Sequence, residues 1–278
     1  MSNKFWKSFS IVLHVLFDEI DKQQKVFTEA FTNSGDDEIV IMLLEYTEID
    51  VSAVNNCAIR MASRNGHIAV VDRLLRDGTG RVDPSAYDND AIRVASVNGH
   101  IAVVERLIQD MRVDPSADNN YAIRWASENG HISVVDRLLQ DVRVDPSAEN
   151  NSAIRWASEK GHIAVVERLL QEDRSRVDPS ADNNYAIRTA SYNGHIAVVD
   201  RLIQEDRSKN RVDSSAGINY AIRLASYNGH IAVVDRLLQN CRVDPSVFIN
   251  YAIRNASYNG HNAVVDRLLQ EDRSCVKT

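Results

Sequence analysis

Residues 117–141 read ADNNYAIRWASENGHISVVDRLLQD, and residues 148–172 read AENNSAIRWASEKGHIAVVERLLQE. A line that returns nearly verbatim spaces like groups apart by a fixed step instead of gathering unlike groups around one reactive centre. The triplet Ala-Ile-Arg begins at Ala58, Ala91, Ala122, Ala153, Ala186, Ala221 and Ala252, with spacings of 33, 31, 31, 33, 35 and 31 residues. A degraded eighth copy precedes these seven: Gly35, Ile39, Val40, Leu43, Leu44 and Asp50 align with Gly130, Val134, Val135, Leu138, Leu139 and Asp145.

Each unit divides into two short helices and a loop. Residues 121–129 are helix-compatible and stop at Gly130, which can take the left-handed conformation that ends a helix. His131 opens a second helix whose Ile132, Val134, Val135, Leu138 and Leu139 form an apolar stripe opposite Asp136, Arg137 and Gln140. A single pair of about 20 residues cannot bury that stripe alone, so neighbouring pairs must stack. All five prolines, Pro84, Pro115, Pro146, Pro179 and Pro245, sit in one Val-Asp-Pro-Ser frame, where Pro forbids helix and favours an extended or turn backbone. Asn56, Asn89, Asn120, Asn151, Asn184, Asn219 and Asn250 recur at the loop exits. Asn tolerates positive φ and caps helices, so a tight turn into the next helix is expected.

Helix, Gly-His, helix and an Asp-containing hairpin at this period resemble ankyrin repeats, over residues 35–278. The wording of Tyr-Ala-Ile-Arg and DPSADNN is similar to the divergent ankyrin repeats abundant in amoeba-infecting giant viruses and some protists. The resemblance implies a mainly α fold, an ankyrin-type α-solenoid of stacked helix pairs joined by hairpin-like loops. The expected organisation is an N-terminal capping helical segment over 1–34 and one continuous solenoid over 35–278. The family's Thr-Pro-Leu-His is replaced by Tyr-Ala-Ile-Arg, so Arg60, Arg93, Arg124, Arg155, Arg188, Arg223 and Arg254 hold the place of the family's loop-tying His. Each guanidinium is expected to bond loop carbonyls or the Val-Asp-Pro aspartate of a neighbouring unit.

Formal net charge is −7, but residues 1–57 hold four Lys/Arg against ten Asp/Glu, leaving 28 against 29 for the rest. A nearly neutral repeat body lacks the concentrated basic stripe that phosphate neutralisation needs, which excludes nucleic acid as the expected partner. Cys57, Cys241 and Cys275 make neither a CxxC pair nor an even framework, which favours a reducing compartment and a cytoplasmic location, the host-cell cytoplasm for a viral protein. The apolar run from Phe9 to Phe17 contains His14, leads into Asp18 and Glu19, and is too short to span a bilayer. Phe5, Phe9, Val12, Leu13, Leu16 and Ile20 fall on one helical face, as in an amphipathic helix packed on its neighbour. No membrane insertion is expected, and a monomer is.

Seven of the eight histidines stand in the Gly-His pair. Packed helices lie about 8–10 Å apart, too far for successive histidines to share one metal ion. No P-loop, HExxH or dinucleotide fingerprint is present, so no cofactor and no catalytic residue is assigned. The insertions at 77–81, 171–175 and 204–210 read as solvated loop lengthening, and 270–274 copies the start of such a loop. Trp125 and Trp156, one repeat apart, read chiefly as packing residues.

Function is sought where the copies disagree, because stacking accounts for the shared letters. Two residues before each Gly the copies carry Arg64, Val97, Glu128, Glu159, Tyr192, Tyr227 and Tyr258. The resemblance places this position on the concave binding face. The loop-exit pair is Asp118-Asn119, Glu149-Asn150 and Asp182-Asn183 in the middle, then Gly217-Ile218 and Phe248-Ile249. Apolar tips beside a tyrosine row suit a protein-binding patch, although these side chains can also tuck between repeats. The reading is a non-enzymatic module binding another protein through Tyr192, Tyr227, Tyr258, Ile218, Phe248 and Ile249, with Glu128 and Glu159 tuning charge selectivity. Two other readings are a substrate-selecting adaptor of a ubiquitin ligase, for which Phe9 to Ile20 lacks an F-box pattern, and a dispensable duplicated copy with no dedicated partner.

Overall fold

A computed structural model describes residues 51–76, 80–172, 176–208, 215–239 and 245–275 of the chain. Among these residues the secondary structure is entirely helical, with α1 (Ala53–Asn65), α2 (Ile68–Leu75), α3 (Ala86–Val97), α4 (Ile101–Ile108), α5 (Ala117–Glu128), α6 (Ile132–Leu139) and α7 (Ala148–Lys160). There follow α8 (Ile163–Leu170), α9 (Ala181–Tyr192), α10 (Ile196–Ser208), α11 (Ser215–Tyr227), α12 (Ile231–Leu238), α13 (Pro245–Tyr258) and α14 (Asn262–Cys275). The expected cap over 1–34 and the degraded copy over 35–50 lie outside the described residues.

The chain divides into two compact units, one of Met1–Ala126 with Ser133–Val144, the other of Ser127–Ile132 with Asp145–Thr278. In the first, α1 packs on α3 and α2 on α4, with α1 also against α2 and α3 against α4. In the second, α7, α9, α11 and α13 pack in succession, as do α8, α10, α12 and α14. Each unit is therefore a two-layered stretch of α-solenoid, the fold class expected from the repeat.

The apolar letters of the repeat make the core between layers. Ile59, Ile92, Ile123 and Ile154 of the Ala-Ile-Arg triplet and Leu74, Leu107, Leu138 and Leu169 of the second helix are fully buried. Burying each such side chain stabilises by about 1.5–3 kcal/mol relative to leaving it in water. Ala62, Ala95, Ala126, Ala157 and Ala190 are equally buried, and at these sites only a methyl group stands between backbones. Gly161 ends α7 at φ 80°, and a Cβ added there would stand 2.6 Å from Nδ1 of His195 in the next repeat. The Gly is thus required by its own backbone and by its neighbour's side chain.

Two segments expected as solvated loop are helical among the described residues. Residues 204–208 continue α10; Glu205 is buried against Arg201 at 3.1 Å, and Gln204 donates to Asp200 at 2.7 Å. These pairs stand four residues apart, the spacing that brings side chains together on a helix. Residues 270–275 continue α14 in the same way. Glu172 accepts from Arg168 at 2.7 Å and from Arg176 at 2.9 Å, clamping both sides of its loop. The remaining insertion positions 77–79, 173–175 and 209–210 lie outside the described residues.

Candidate functional site

The surface is built on an unusual loop exit. Three consecutive residues enter the left-handed region in successive repeats: Tyr87-Asp88-Asn89, Asp118-Asn119-Asn120, Glu149-Asn150-Asn151 and Asp182-Asn183-Asn184, all with φ between 52° and 61°. Asn and Asp tolerate this backbone best among residues with a Cβ, because their short polar side chains bond locally. In three copies the last Asn does more than turn the chain: its side chain reaches the next repeat. Oδ1 of Asn56 accepts from the Asp83 backbone N–H at 2.8 Å, that of Asn89 from Asp114 at 2.8 Å, and that of Asn151 from Asp178 at 2.7 Å. No residue of α11 or α13 among those described repeats this left-handed run.

Arg93 and Arg155 of the Ala-Ile-Arg triplets turn inward along the loops, their side chains only 14% exposed, whereas Arg254 is exposed. Arg155 donates to the Glu149 carbonyl at 3.2 Å, in its own repeat, and to the Asp182 carboxylate at 2.7 Å, in the next. Arg93 makes the same pair of bonds, to the Tyr87 carbonyl and the Asp118 carboxylate. Loop carbonyls are bonded as expected, but the acid is the loop-exit one and not the Val-Asp-Pro aspartate. That aspartate is occupied locally: Oδ1 of Asp83 accepts from Ser85 N–H at 2.9 Å and Ser85 Oγ at 2.6 Å, and Asp114, Asp145 and Asp178 hold Ser116, Ser147 and Ser180 likewise. Where the residue before the next Ala-Ile-Arg is Tyr, the guanidinium also lies on its ring, Arg93 at 5.0 Å from Tyr121 and Arg155 at 5.0 Å from Tyr185. Where it is Asp90, Arg60 bonds the carboxylate instead, at 2.7 Å.

Histidine closes the other end of each first helix. Nε2 donates from His100 to the Arg64 carbonyl at 3.0 Å, from His195 to Glu159 at 3.0 Å, from His230 to Tyr192 at 2.9 Å and from His261 to Tyr227 at 3.0 Å. The accepting carbonyls belong to the variable position two residues before each Gly, so the histidines fix the backbone under the residues read as binding groups. The described His, Cys, Asp and Glu side chains form no group able to hold a metal ion. No described helix is long and apolar enough to cross a membrane.

The family model described as ankyrin repeats, three copies, matches residues 92–183 and 123–213. Residues 92–213 carry ankyrin repeats. No curated protein matches it. Ankyrin repeats are in general non-enzymatic protein-interaction modules, and what varies between these ankyrin repeats is therefore the part that can distinguish a partner.

Tyr192, Tyr227 and Tyr258 close α9, α11 and α13 and are 45%, 46% and 89% exposed. All three stand at one repeat position within the second unit. Glu128 and Glu159, at the same position in earlier copies, are engaged: Glu128 lies 3.8 Å from Lys160, and Glu159 accepts from the Tyr185 hydroxyl at 2.7 Å. That bond to Glu159 holds the Tyr185 phenol above its usual range. The side chains of Ile218, Phe248 and Ile249 lie outside the described residues. Trp125 is half-buried and stacks on Tyr121 at 5.4 Å, while Trp156 is half-buried.

Sequence reading missed two features of these ankyrin repeats. Tyr220 and Tyr251, which precede the last two Ala-Ile-Arg triplets, are 40% and 44% exposed, whereas Tyr121 and Tyr185 at the same position are half-buried. The signal was available, because the loop acids beside the earlier tyrosines are replaced by Gly217 and Phe248. Met111 and Val142, between Asp and Arg at two successive loop tips, stand almost entirely in solvent.

Proposed function

We propose that the chain is a non-enzymatic binding module that holds a partner protein on the face of the second unit where Tyr192, Tyr227 and Tyr258 recur, together with the loop tips carrying Ile218, Phe248 and Ile249. The observation that supports this most directly is the exposure of three tyrosines at one position of successive repeats, two of them, Tyr192 and Tyr227, above a main chain pinned by the following repeat. Tyr carries a large apolar body and a hydroxyl at little conformational cost, which is why it anchors interfaces. His230 and His261 fix the Tyr192 and Tyr227 carbonyls, and Asn228 adds a second bond to Tyr192 at 3.0 Å. The backbone beneath these rings is therefore ordered before any partner arrives, which lowers the entropic cost of binding. Glu128 and Glu159 lie beside this row and would disfavour acidic groups at its start.

The test is affinity capture from lysate of the native cell with wild type and with Tyr192→Ala/Tyr227→Ala/Tyr258→Ala, compared at matched thermal stability. A partner held by wild type and lost from the folded triple variant is the expected result. A partner held equally by both would sink the reading.

A further inference from the structure

The second unit contains the same guanidinium-on-tyrosine seat in two states. At Arg155 the seat is filled from within: the guanidinium lies 5.0 Å from the centre of the Tyr185 ring, and Asp182 of the same loop holds it at 2.7 Å. At Arg188 the guanidinium lies 4.5 Å from the centre of the Tyr220 ring, but the position of Asp182 is taken by Gly217. Arg188 keeps one long bond, to its own Asn183 carbonyl at 3.3 Å, and faces no carboxylate among the described residues. Arg223 continues the row, 5.2 Å from the Tyr220 ring and 4.0 Å from Tyr251. The first helices of these repeats, α11 and α13, carry Arg223 and Arg254 and no acid.

We propose that the row Arg188, Tyr220, Arg223 and Tyr251 is a docking site for an acidic segment of a partner protein, with a partner carboxylate taking at Arg188 the place that Asp182 takes at Arg155. Three observations converge on that occupant. The chain itself displays a carboxylate bound to the equivalent seat. The seat without one has rings 40% and 44% exposed, against a half-buried Tyr185 beside the filled one. Beside it the helices α11 and α13 add Arg223 and Arg254 and no acid. A guanidinium fork binds a carboxylate through fixed, charge-assisted hydrogen bonds while its face rests on an aromatic ring, so the two interactions do not compete. Arg188 and Tyr192 are four residues apart on α9, and Arg223 and Tyr227 on α11, which sets both rows on one helical face. This inference rests on the interaction reading above and adds the partner's chemistry: acidic side chains for the arginine row, apolar ones for the tyrosine row.

The test uses the full chain and a fluorescein-labelled decaglutamate peptide, read by fluorescence anisotropy at low salt. Arg188→Gln is expected to weaken binding about tenfold, the loss of one charge-assisted contact, with an unchanged melting temperature. Arg188→Lys keeps the charge but not the planar fork, and is expected to bind between the two. Asp182→Asn, which vacates the seat at Arg155, is expected to strengthen binding, and it keeps the test open should Arg188→Gln fail to fold. Equal binding by wild type and folded Arg188→Gln, no gain in Asp182→Asn, or equal binding of a decalysine peptide each overturn the inference. Preferential capture of a single-stranded RNA of matched charge overturns it in favour of a nucleic acid. Loss of the cellular partner from the tyrosine triple variant, together with indifference of decaglutamate to Arg188→Gln, would leave the interaction reading standing and remove this inference alone.

Discussion

Ser158 belongs to a set with no explanation in the fold. The hydroxyls of Ser63, Ser96, Ser127, Ser158, Ser191 and Ser226 are all buried without a hydrogen-bond partner among the described residues. A buried hydroxyl left unpaired costs about 1–3 kcal/mol, so Ser158→Ala should stabilise the protein by about 1 kcal/mol, visible as a raised midpoint in urea. A lowered midpoint would reveal a bond that the hydroxyl makes. Gly161 predicts the opposite sign. Ala at this φ of 80° is strained, and its Cβ would meet His195 at 2.6 Å. Gly161→Ala should therefore cost about 2 kcal/mol, and Gly161→Ala/His195→Ala should recover the part due to the clash. The Gly was legible in the sequence as a helix end, because conformational freedom is a property of one residue. Its contact with the next repeat's His was not legible, since that depends on how closely the stacked helices approach.

At the scale of the element, the loops are held by ties that sequence spacing only half announces. The arginine of the Arg-Val-Asp-Pro frame clamps the preceding aspartate with two bonds, Arg112 on Asp110 at 2.7 and 2.9 Å, and also donates to the Val82 carbonyl of the previous repeat at 2.8 Å. Arg143 repeats the arrangement on Asp141 and the Val113 carbonyl. The guanidinium beside each carboxyl holds Asp110 and Asp141 below the usual carboxylate range. A carboxyl whose folded pKa is depressed contributes stability above its unfolded pKa of about 3.9 and loses it as pH falls through the lower folded value. Unfolding midpoints in urea should therefore drop below about pH 4, and Asp110→Asn/Asp141→Asn should flatten that part of the curve. An identical acid limb in the double variant would show that these loops titrate as they would unfolded. Helix types and the apolar stripe were readable because they follow the 3.6-residue period within one element. The extension of α10 was misread because Gln-Glu-Asp-Arg suits a solvated loop as well as a helix, and only the pairing of Glu205 with Arg201 decides between them.

For the whole molecule, stability follows from neighbours. In a repeat array each unit gains only from the interfaces it shares, so the helices flanked on both sides should open last. In the second unit α9 lies between α7 and α11, and α10 between α8 and α12, whereas α13 and α14 have one described neighbouring repeat. By the same contacts α11 and α12 are flanked on both sides, so hydrogen exchange should be slowest from α9 to α12 and faster in α13 and α14; uniform exchange along the unit would contradict this ordering. The repeat itself was fully legible, because near-identical lines leave no other reading. The candidate surface was legible only where copies differ: Tyr192, Tyr227 and Tyr258 stood out by side-chain type, while Tyr220 and Tyr251 differ from Tyr185 only in what has been lost beside them.

The ties between repeats also say something about how such a gene can change. Asn151 accepts from the following copy, His195 donates to the preceding one, and Arg155 bonds an acid of the following one. The middle copies thus carry both the plug and the socket. Excising or inserting one of these middle units of 31 or 33 residues joins matching ties at front and back. Copy number can then drift under recombination without loss of fold, and selection is free to act on the few letters that the stacking ignores.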